Sequence, residues 1–566
     1  MITERCVSAE TFVRGLAVVN ASGVEPVIQA EMTSRTGRRR VQPWRAILTV
    51  LAITALEGNG SLLLSRAMGV AERLSDAQRA SLSMTKPMTY AQIESAVADL
   101  DVAMTERVHP LTGEVLPPRL SIDLTAFMTR VATGLIPAQI TRTSTLSLDS
   151  TDYETHYRRR SWKHHMKPDV AATALPEDDF EPAKPTVNEP GWPRAGDDGR
   201  LQHSVDPDAR DGYRAGKNKS RKGVFVGWDL HLAVDTPALG ERGCPPLVRA
   251  ASLAPAGSDK ATAGRAVLDA LDGGPACTTL LADRGYTYLD SQRWALPIHR
   301  LGIDQVIDLH TSQRKTRPGP IPGTFYLDGG LFVTHLPKRL HKLSAFSLGM
   351  TAEQTDTLCA TYDERAPYAF TPLGKPDRER GTQRYRGPAL TGRVRCPNTP
   401  ASMRLDPAKR PTTPCVEGEP CACGTTVTLG PEDYSATRQR LLYGTTAWKA
   451  SYGRRSAVES ANANLKVHHA ELRRGSTRVM GTRRTGILLA FILAAVNASV
   501  LLSRYGYDLA APTDASEPLT PKPTPRPARH RRRDFARRPK RRKQPPGRAP
   551  TRSTSPARPD SFEPIT

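Results

Sequence analysis

Several ingredients are scarce in this chain, and each scarcity excludes something. Its 566 residues hold only eight cysteines, scattered along the chain, so they read as reduced thiols of a cytoplasmic protein and exclude a disulfide framework. No apolar run is comfortably long enough to span a bilayer. The longest, Ile487 to Leu502, is short and broken by Asn497 and Ser499, which predicts a buried core helix and no membrane partner. The N-terminus lacks the basic, apolar and small-residue succession of a secretory signal, and Glu4 and Glu10 do not suit one. No internal repeat is present. Acids are also in short supply: 57 Asp and Glu against 80 Lys and Arg give a net charge of +23 and a pI near 9.9. That excess calls for a polyanionic partner, either nucleic acid or an anionic membrane surface.

The length is too great for one ordinary domain, and composition divides it. Residues 1–43, with Arg38-Arg39-Arg40, read as a loose basic arm. Residues 44–140 read as helical, with an apolar Ala46–Leu56 and a helix over Tyr90–Val108 capped by Thr89. A turn at Lys86-Pro87 fits a helix-turn-helix that grips DNA, and equally a plain helical packing module. Residues 141–310 carry strand patterns at Thr145–Asp149, Val224–Val234, Pro246–Ser252, Thr278–Ala282 and Gln305–Leu309. Helices are expected over Ser258–Leu271, with Ser258 as the cap, and over Tyr288–Leu301. A Pro-rich acidic stretch from Lys167 to Arg200 reads as a surface loop. Residues 311–445 are rich in Pro, Gly, Arg and Thr, with a hairpin signal at Leu327-Asp328-Gly329-Gly330-Leu331, and form a β-rich insertion. Helices return over residues 446–507. Residues 508–566 are dominated by Pro and Arg and read as a disordered basic tail.

One pattern decides between these functional classes. Tyr452, Arg455, Glu459 and Lys466 stand as Y-x2-R-x3-E-x6-K. On a single helix they fall at about 0°, −60°, −20° and −40°, a stripe some 21 Å long. Val458, Ala461, Leu465 and Leu472 fall on the opposite, inward face. An acid flanked by cations suits DNA, since the acid can hold a metal while Arg and Lys neutralise phosphates. The plain alternative is an amphipathic helix with ordinary Glu–Arg pairs. Composition alone yields this four-residue pattern only roughly a few times in a thousand such chains.

With that spacing, the chain resembles the bacterial insertion-sequence transposases of the family called insertion sequence four, whose signature it is. Leu146-Ser-Leu-Asp149-Ser-Thr151 and Leu281-Ala-Asp283-Arg-Gly-Tyr286 are similar to the family's two Asp strands. Asp206–Arg210 through Gly227–His231 resembles its central hairpin region. The likeness runs from about Val50 to Leu502 and is weakest in the insertion. It implies an α/β, ribonuclease H-like catalytic core with a β-rich insertion. It also implies Asp149, Asp283 and Glu459 as catalytic residues holding two Mg²⁺ ions, for which Mn²⁺ can substitute, with Tyr452, Arg455 and Lys466 on DNA phosphates. The expected partners are double-stranded DNA, both the terminal inverted repeats of its own element and target DNA, and a second subunit or more, in a nucleoid-associated enzyme that cleaves and transfers DNA strands.

The chemistry agrees with the residue types. Hard, oxygen-liganded ions require carboxylates, and two such ions can serve both sides of an in-line phosphoryl displacement. Each Asp alone has a plainer use: Asp149 can cap the turn at Ser150-Thr151, Asp283 can pair with Arg284, and Asp152 competes for the first position. Cys396, Cys415, Cys421 and Cys423 are candidate ligands of a structural Zn²⁺, although the closing pair is C-x-C where C-x2-C is usual. His468-His469 reads as exposed helix. The clusters Arg531–Arg533 and Lys540–Lys543 read as nonspecific DNA contacts or a solvated tail. Two other functions share much of this pattern: a catalytically silent DNA-binding protein of transposase descent, and a nuclease that cuts without joining.

Overall fold

In the computed structural model, the strict alternation of Val224–Val234 becomes a 12-residue strand with a six-stranded sheet built around it. The structure describes residues 6–522, apart from 34–39, 159–193, 197–198, 215–222, 242–243, 272, 288–290, 348, 434 and 512–516. The strands are β1 (Thr145–Glu154), β2 (Arg210–Tyr213), β3 (Val224–Asp235), β4 (Val248–Pro255), β5 (Thr279–Ala282) and β6 (Asp304–Ile307). Their lateral order is β6-β5-β1-β3-β4, with β2 on the first residues of β3. β5 and β6 run parallel to β1, whereas β3 is antiparallel to both β1 and β4. The chain is therefore mixed α/β.

Period-two alternation gives this sheet two buried faces. Tyr153, Trp228, Leu230, Leu232 and Val234 join one core, with the N-terminal helices and the C-terminal apolar helix. Leu146, Leu148, Ala233, Leu280 and Ala282 join a second core on the other face. The first layer contains α1 (Ala9–Ser22), α2 (Val24–Met32), α3 (Trp44–Glu57), α4 (Leu64–Arg73), α5 (Asp76–Ser81), α6 (Tyr90–Ala103) and α7 (Leu124–Thr133). The second contains α8 (Lys260–Asp269), α9 (Arg284–Thr287) and α10 (Ala295–Arg300).

Residues 1–43 differ from the loose arm expected of them. Two helices occupy Ala9–Met32, and Phe12, Val18, Val19 and Ile28 are buried in the shared core. Gly15 permits the contact, because a Cβ there would lie 2.5 Å from Ile53 Cγ1 on α3. Other boundaries also move. The strand expected to end at Asp149 continues to Glu154, since β3 offers backbone partners that far. α6 stops at Ala103, α8 is capped by Asp259 in place of Ser258, and of the helix expected over Tyr288–Leu301 the first three residues lie outside the described ones and α10 runs over Ala295–Arg300. Most of the loop expected over Lys167–Arg200 and most of the basic tail, including Arg531–Arg533 and Lys540–Lys543, lie outside the described residues; at the loop's end Arg194–Ala195 pairs antiparallel with Leu201–Gln202.

The insertion carries two three-stranded sheets: β7 (Arg317–Pro318), β8 (Thr324–Leu327) and β9 (Gly330–Val333), then β10 (Thr371–Pro372), β11 (Gln383–Arg386) and β12 (Thr426–Leu429). It also holds α11 (Ala352–Asp363) and the single turn α12 (Pro400–Met403), which composition did not announce. The hairpin falls where expected. Asp328 and Gly329 adopt φ of 47° and 75°, the positive pair that a tight two-residue turn between right-twisted strands requires.

After the insertion come α13 (Thr446–Gly453), α14 (Ser456–Ala463) and α15 (Thr482–Val500), the helix continuing in a wider turn to Tyr505. The span from Thr482 to Tyr505 is long and apolar enough to cross a membrane, but 83% of its apolar window is buried inside the fold. Asn497, which interrupts the run, is fully used: it bonds to both Val248 N and O at 3.0 Å and donates to Ala132 O at 2.8 Å, binding α15 to α7 and β4.

Candidate active site

The ladder positions the first two acids. Leu148 pairs in parallel register with Ala282, so Asp149 and Asp283 are the next residues at one edge of two adjacent strands. Asp283 Oδ1 accepts Gly285 N at 2.8 Å and starts the turn into α9. Gly285 leaves room for the carboxylate, because a Cβ there would lie 2.8 Å from Asp283 Oδ1. Asp149 Oδ1 accepts its neighbour's Ser150 N at 2.8 Å.

The third acid arrives on α14. Val458, Ala461 and Leu465 bury the inner face of this segment, as their spacing predicted, which leaves Glu459 on the outer side with its side chain 57% exposed. Arg455 lies between the acids. Its Nη1 donates to Asp149 Oδ2 at 3.0 Å, and its Nη2 bonds to Glu459 Oε1.

The electrostatics follow. Burial, reinforced by Asp283, raises the Asp149 pKa against the opposing pull of Arg455, Ser150 N–H and Lys260. Burial works against the charge of Arg455, but Tyr452, Asp149, Glu459 and Asp283 outweigh it and raise its pKa. A buried carboxylate such as Asp149, shifted by burial and a neighbouring acid, is characteristic of working sites.

The four-residue stripe is not carried by one helix. α13 ends at Gly453 and α14 begins at Ser456, joined by a tight turn in which Arg454 N and Arg455 N donate to Ser451 O and Tyr452 O, while the Arg454 side chain donates to Pro237 O at 3.0 Å. Tyr452 stacks on Trp448, one turn earlier on α13, with ring centroids 4.9 Å apart and planes 8° from parallel, and packs against the second core. Lys466 falls in a wide π-turn and its Nζ bonds to Asp152 Oδ1 at 2.9 Å. Asp152, the competing first acid, faces Lys466 and Arg214. Burial opposes its charge, but these two cations hold its carboxyl below the usual range.

Sequence reading overlooked a second group beside these acids. Lys260 Nζ, at the start of α8, donates to Ser150 Oγ at 3.0 Å and lies near the Tyr286 ring. Tyr286 OH shares a 2.8 Å hydrogen bond with Nδ1 of His231, and both residues are buried. A lysine directly following a helix cap beside an acid-bearing strand was the available signal for this group.

In the insertion, the Sγ atoms of Cys396, Cys415, Cys421 and Cys423 all lie within 4.8 Å of one another, close enough to hold a metal ion. Cys396 and Cys421 are 3.6 Å apart, Cys415 and Cys423 3.7 Å. Four sulfurs around one ion at bonds of about 2.3 Å would stand about 3.8 Å apart, whereas a disulfide needs about 2.05 Å. Among the described residues this is the one group of three or more His, Cys, Asp or Glu ligand atoms drawn together so tightly. No protein-family model, curated protein or solved structure matches the chain.

Proposed function

We propose that this chain is a DNA transposase of the Asp-Asp-Glu type, which cleaves and rejoins DNA strands at the ends of its own element. One observation carries the reading: Asp149 and Asp283 stand next to each other on adjacent strands, and Arg455 bridges Asp149 to Glu459 on α14, so that three distant parts of the sequence meet at one guanidinium. The lateral order, with three antiparallel strands followed by two parallel to the first, supports a ribonuclease H-like core. The net charge of +23 supports a polyanionic substrate.

The carboxylates of Asp149, Asp283 and Glu459 are hard oxygen donors that fit Mg²⁺, with Mn²⁺ as a substitute. When bound, such ions lower the pKa of the attacking water and offset charge on the scissile phosphate and its leaving oxygen. The protein's own part is orientation. The β1–β5 ladder fixes the two Asp side chains, and the packed inner face of α14 fixes Glu459. Arg455 holds the acids together and supplies a guanidinium for a phosphate oxygen. Two element ends must be joined, so the working enzyme contains two or more subunits on DNA. For the four cysteines we propose structural Zn²⁺, on the sulfur spacing given above.

The test is Mg²⁺-dependent cleavage of DNA carrying the flanking element ends, with Glu459→Ala and Asp283→Ala as controls. Cleavage at the ends by wild type, and binding without cutting by both variants, is the expected result. Binding without cutting by wild type in Mg²⁺ or Mn²⁺ would instead assign the chain as a silent DNA-binding protein. Cutting with no joining and no paired-end complex would assign a nuclease.

A further inference from the structure

Away from the three acids, two loops meet to form a strongly basic groove of about 1020 Å³. One loop joins α3 to α4, and the other follows the π-turn that carries Lys466. They are bound to each other through backbone, Leu62 N to Ser476 O at 2.8 Å and Glu471 N to Asn59 O at 3.1 Å. Gly60 permits this closeness, with φ of 83° and a hypothetical Cβ only 2.7 Å from Glu471 N. The groove is thus a built concavity.

Its lining is cationic: Arg66 from α4, and Arg473, Arg474 and Arg478 from the second loop. Arg66 and Arg478 are exposed and have no ion-pair partner among the described residues. The nearby acids neutralise little. Glu57 is paired with Arg73, and Glu471 reaches Arg473 only at 3.9 Å, with that guanidinium 79% exposed. Arg474 reaches Glu154, which Arg214 also contacts, and Arg214 and Lys466 share Asp152. A continuous chain of charges therefore links the groove to the edge of β1 near Asp149. The same concentration of positive charge lowers the pKa of His156 on the groove wall, where burial acts first and Arg478 and Arg474 add to it.

We propose that this groove holds the sugar-phosphate backbone of duplex DNA, with Arg66, Arg473 and Arg478 each neutralising a phosphate, so that the N-terminal helices take part in gripping the substrate. This rests on the DNA reading given above. Successive exposed guanidiniums on a rigid wall suit a repeating anion, and each replaces a counterion condensed on the duplex.

The experiment is fluorescence anisotropy of the full chain with a labelled duplex of arbitrary sequence, across a salt series. It compares wild type with Arg66→Ala/Arg473→Ala/Arg478→Ala and with lysine at the same three positions. The alanine variant should bind roughly tenfold or more weakly at low salt, and its slope of log K against log salt should be shallower by about 3, near 0.9 per lost contact. Lysine should restore both, and the melting temperature should not move, because these side chains are exposed. Unchanged slope and affinity in the alanine variant, with wild type binding normally, would overturn the groove and leave the three-acid reading standing. Absence of DNA binding by wild type at every salt concentration would overturn both.

Discussion

Arg455 donates to Asp149 across 3.0 Å from the break between two helices, and its other terminal nitrogen holds Glu459. A guanidinium thus stands where the carboxylates' lone pairs would face the proposed divalent cation, and the two cations would compete for the same oxygens. With its side chain only 17% exposed, Arg455 should matter to the fold. Arg455→Ala is expected to destabilise the protein by about 1–3 kcal/mol, because two like charges lose their shared partner. Mg²⁺ should then raise the melting temperature of the variant more than that of wild type. Equal Mg²⁺ effects on both proteins would count against the three acids as ligands.

His231 makes stability depend on pH. Burial, with Lys260 adding to it, lowers its pKa from 6.5 to about 3. The unfolded chain therefore takes up a proton below about pH 6.5 that the folded chain refuses. This contribution is present in full above that pH and is lost as pH falls toward 3, by at most about 1.4 kcal/mol per pH unit. Urea denaturation between pH 7 and 4 should show a shallower decline in His231→Gln than in wild type. Parallel declines would remove His231 as a source.

Asp328 unites the hairpin turn with the rest of the insertion. It is buried and accepts from Arg314 Nε at 3.1 Å and Arg365 Nη1 at 2.7 Å, and Arg365 is itself buried. Removing the acid leaves two cations without their carboxylate, so Asp328→Ala should destabilise by about 3–5 kcal/mol. Chemical denaturation measures this, and a loss below about 1 kcal/mol would mean the pair is hydrated and weak.

The four cysteines should retain zinc through purification without chelator, measurable as metal content per chain. Cys423→Ser should abolish that content, and prolonged chelation should lower the melting temperature of wild type but not of the variant. Metal content near zero in wild type would return the cluster to ordinary buried thiols.

Legibility in the sequence followed the range of the interactions. The alternation of β3, the Thr89 cap, the Asp328-Gly329 turn and the inward face of Val458, Ala461 and Leu465 were all readable. Each depends on backbone geometry within one segment, where a period or a capping side chain leaves a local trace. α1 and α2 were missed because their apolar spacing is punctuated by Gly15, Gly23 and Pro26. They are held by packing on α3, which no local window contains.

The site divides along the same line. Sequence alone determined which residue types were available, the carboxylates Asp149, Asp283 and Glu459, the nearby cations and the four cysteines, because hard and soft ligand chemistry belongs to side chains. Tertiary structure alone decided their arrangement. The parallel register of β1 and β5 set two acids side by side, and a tight turn at Arg454-Arg455 divided the helix that would have carried one continuous stripe. Asp152 claimed Lys466, and the Gly60 loop closed onto the second loop to form the basic groove. These outcomes depend on contacts between residues far apart in the chain, where electrostatics and close packing act through space and leave no periodic mark in the sequence.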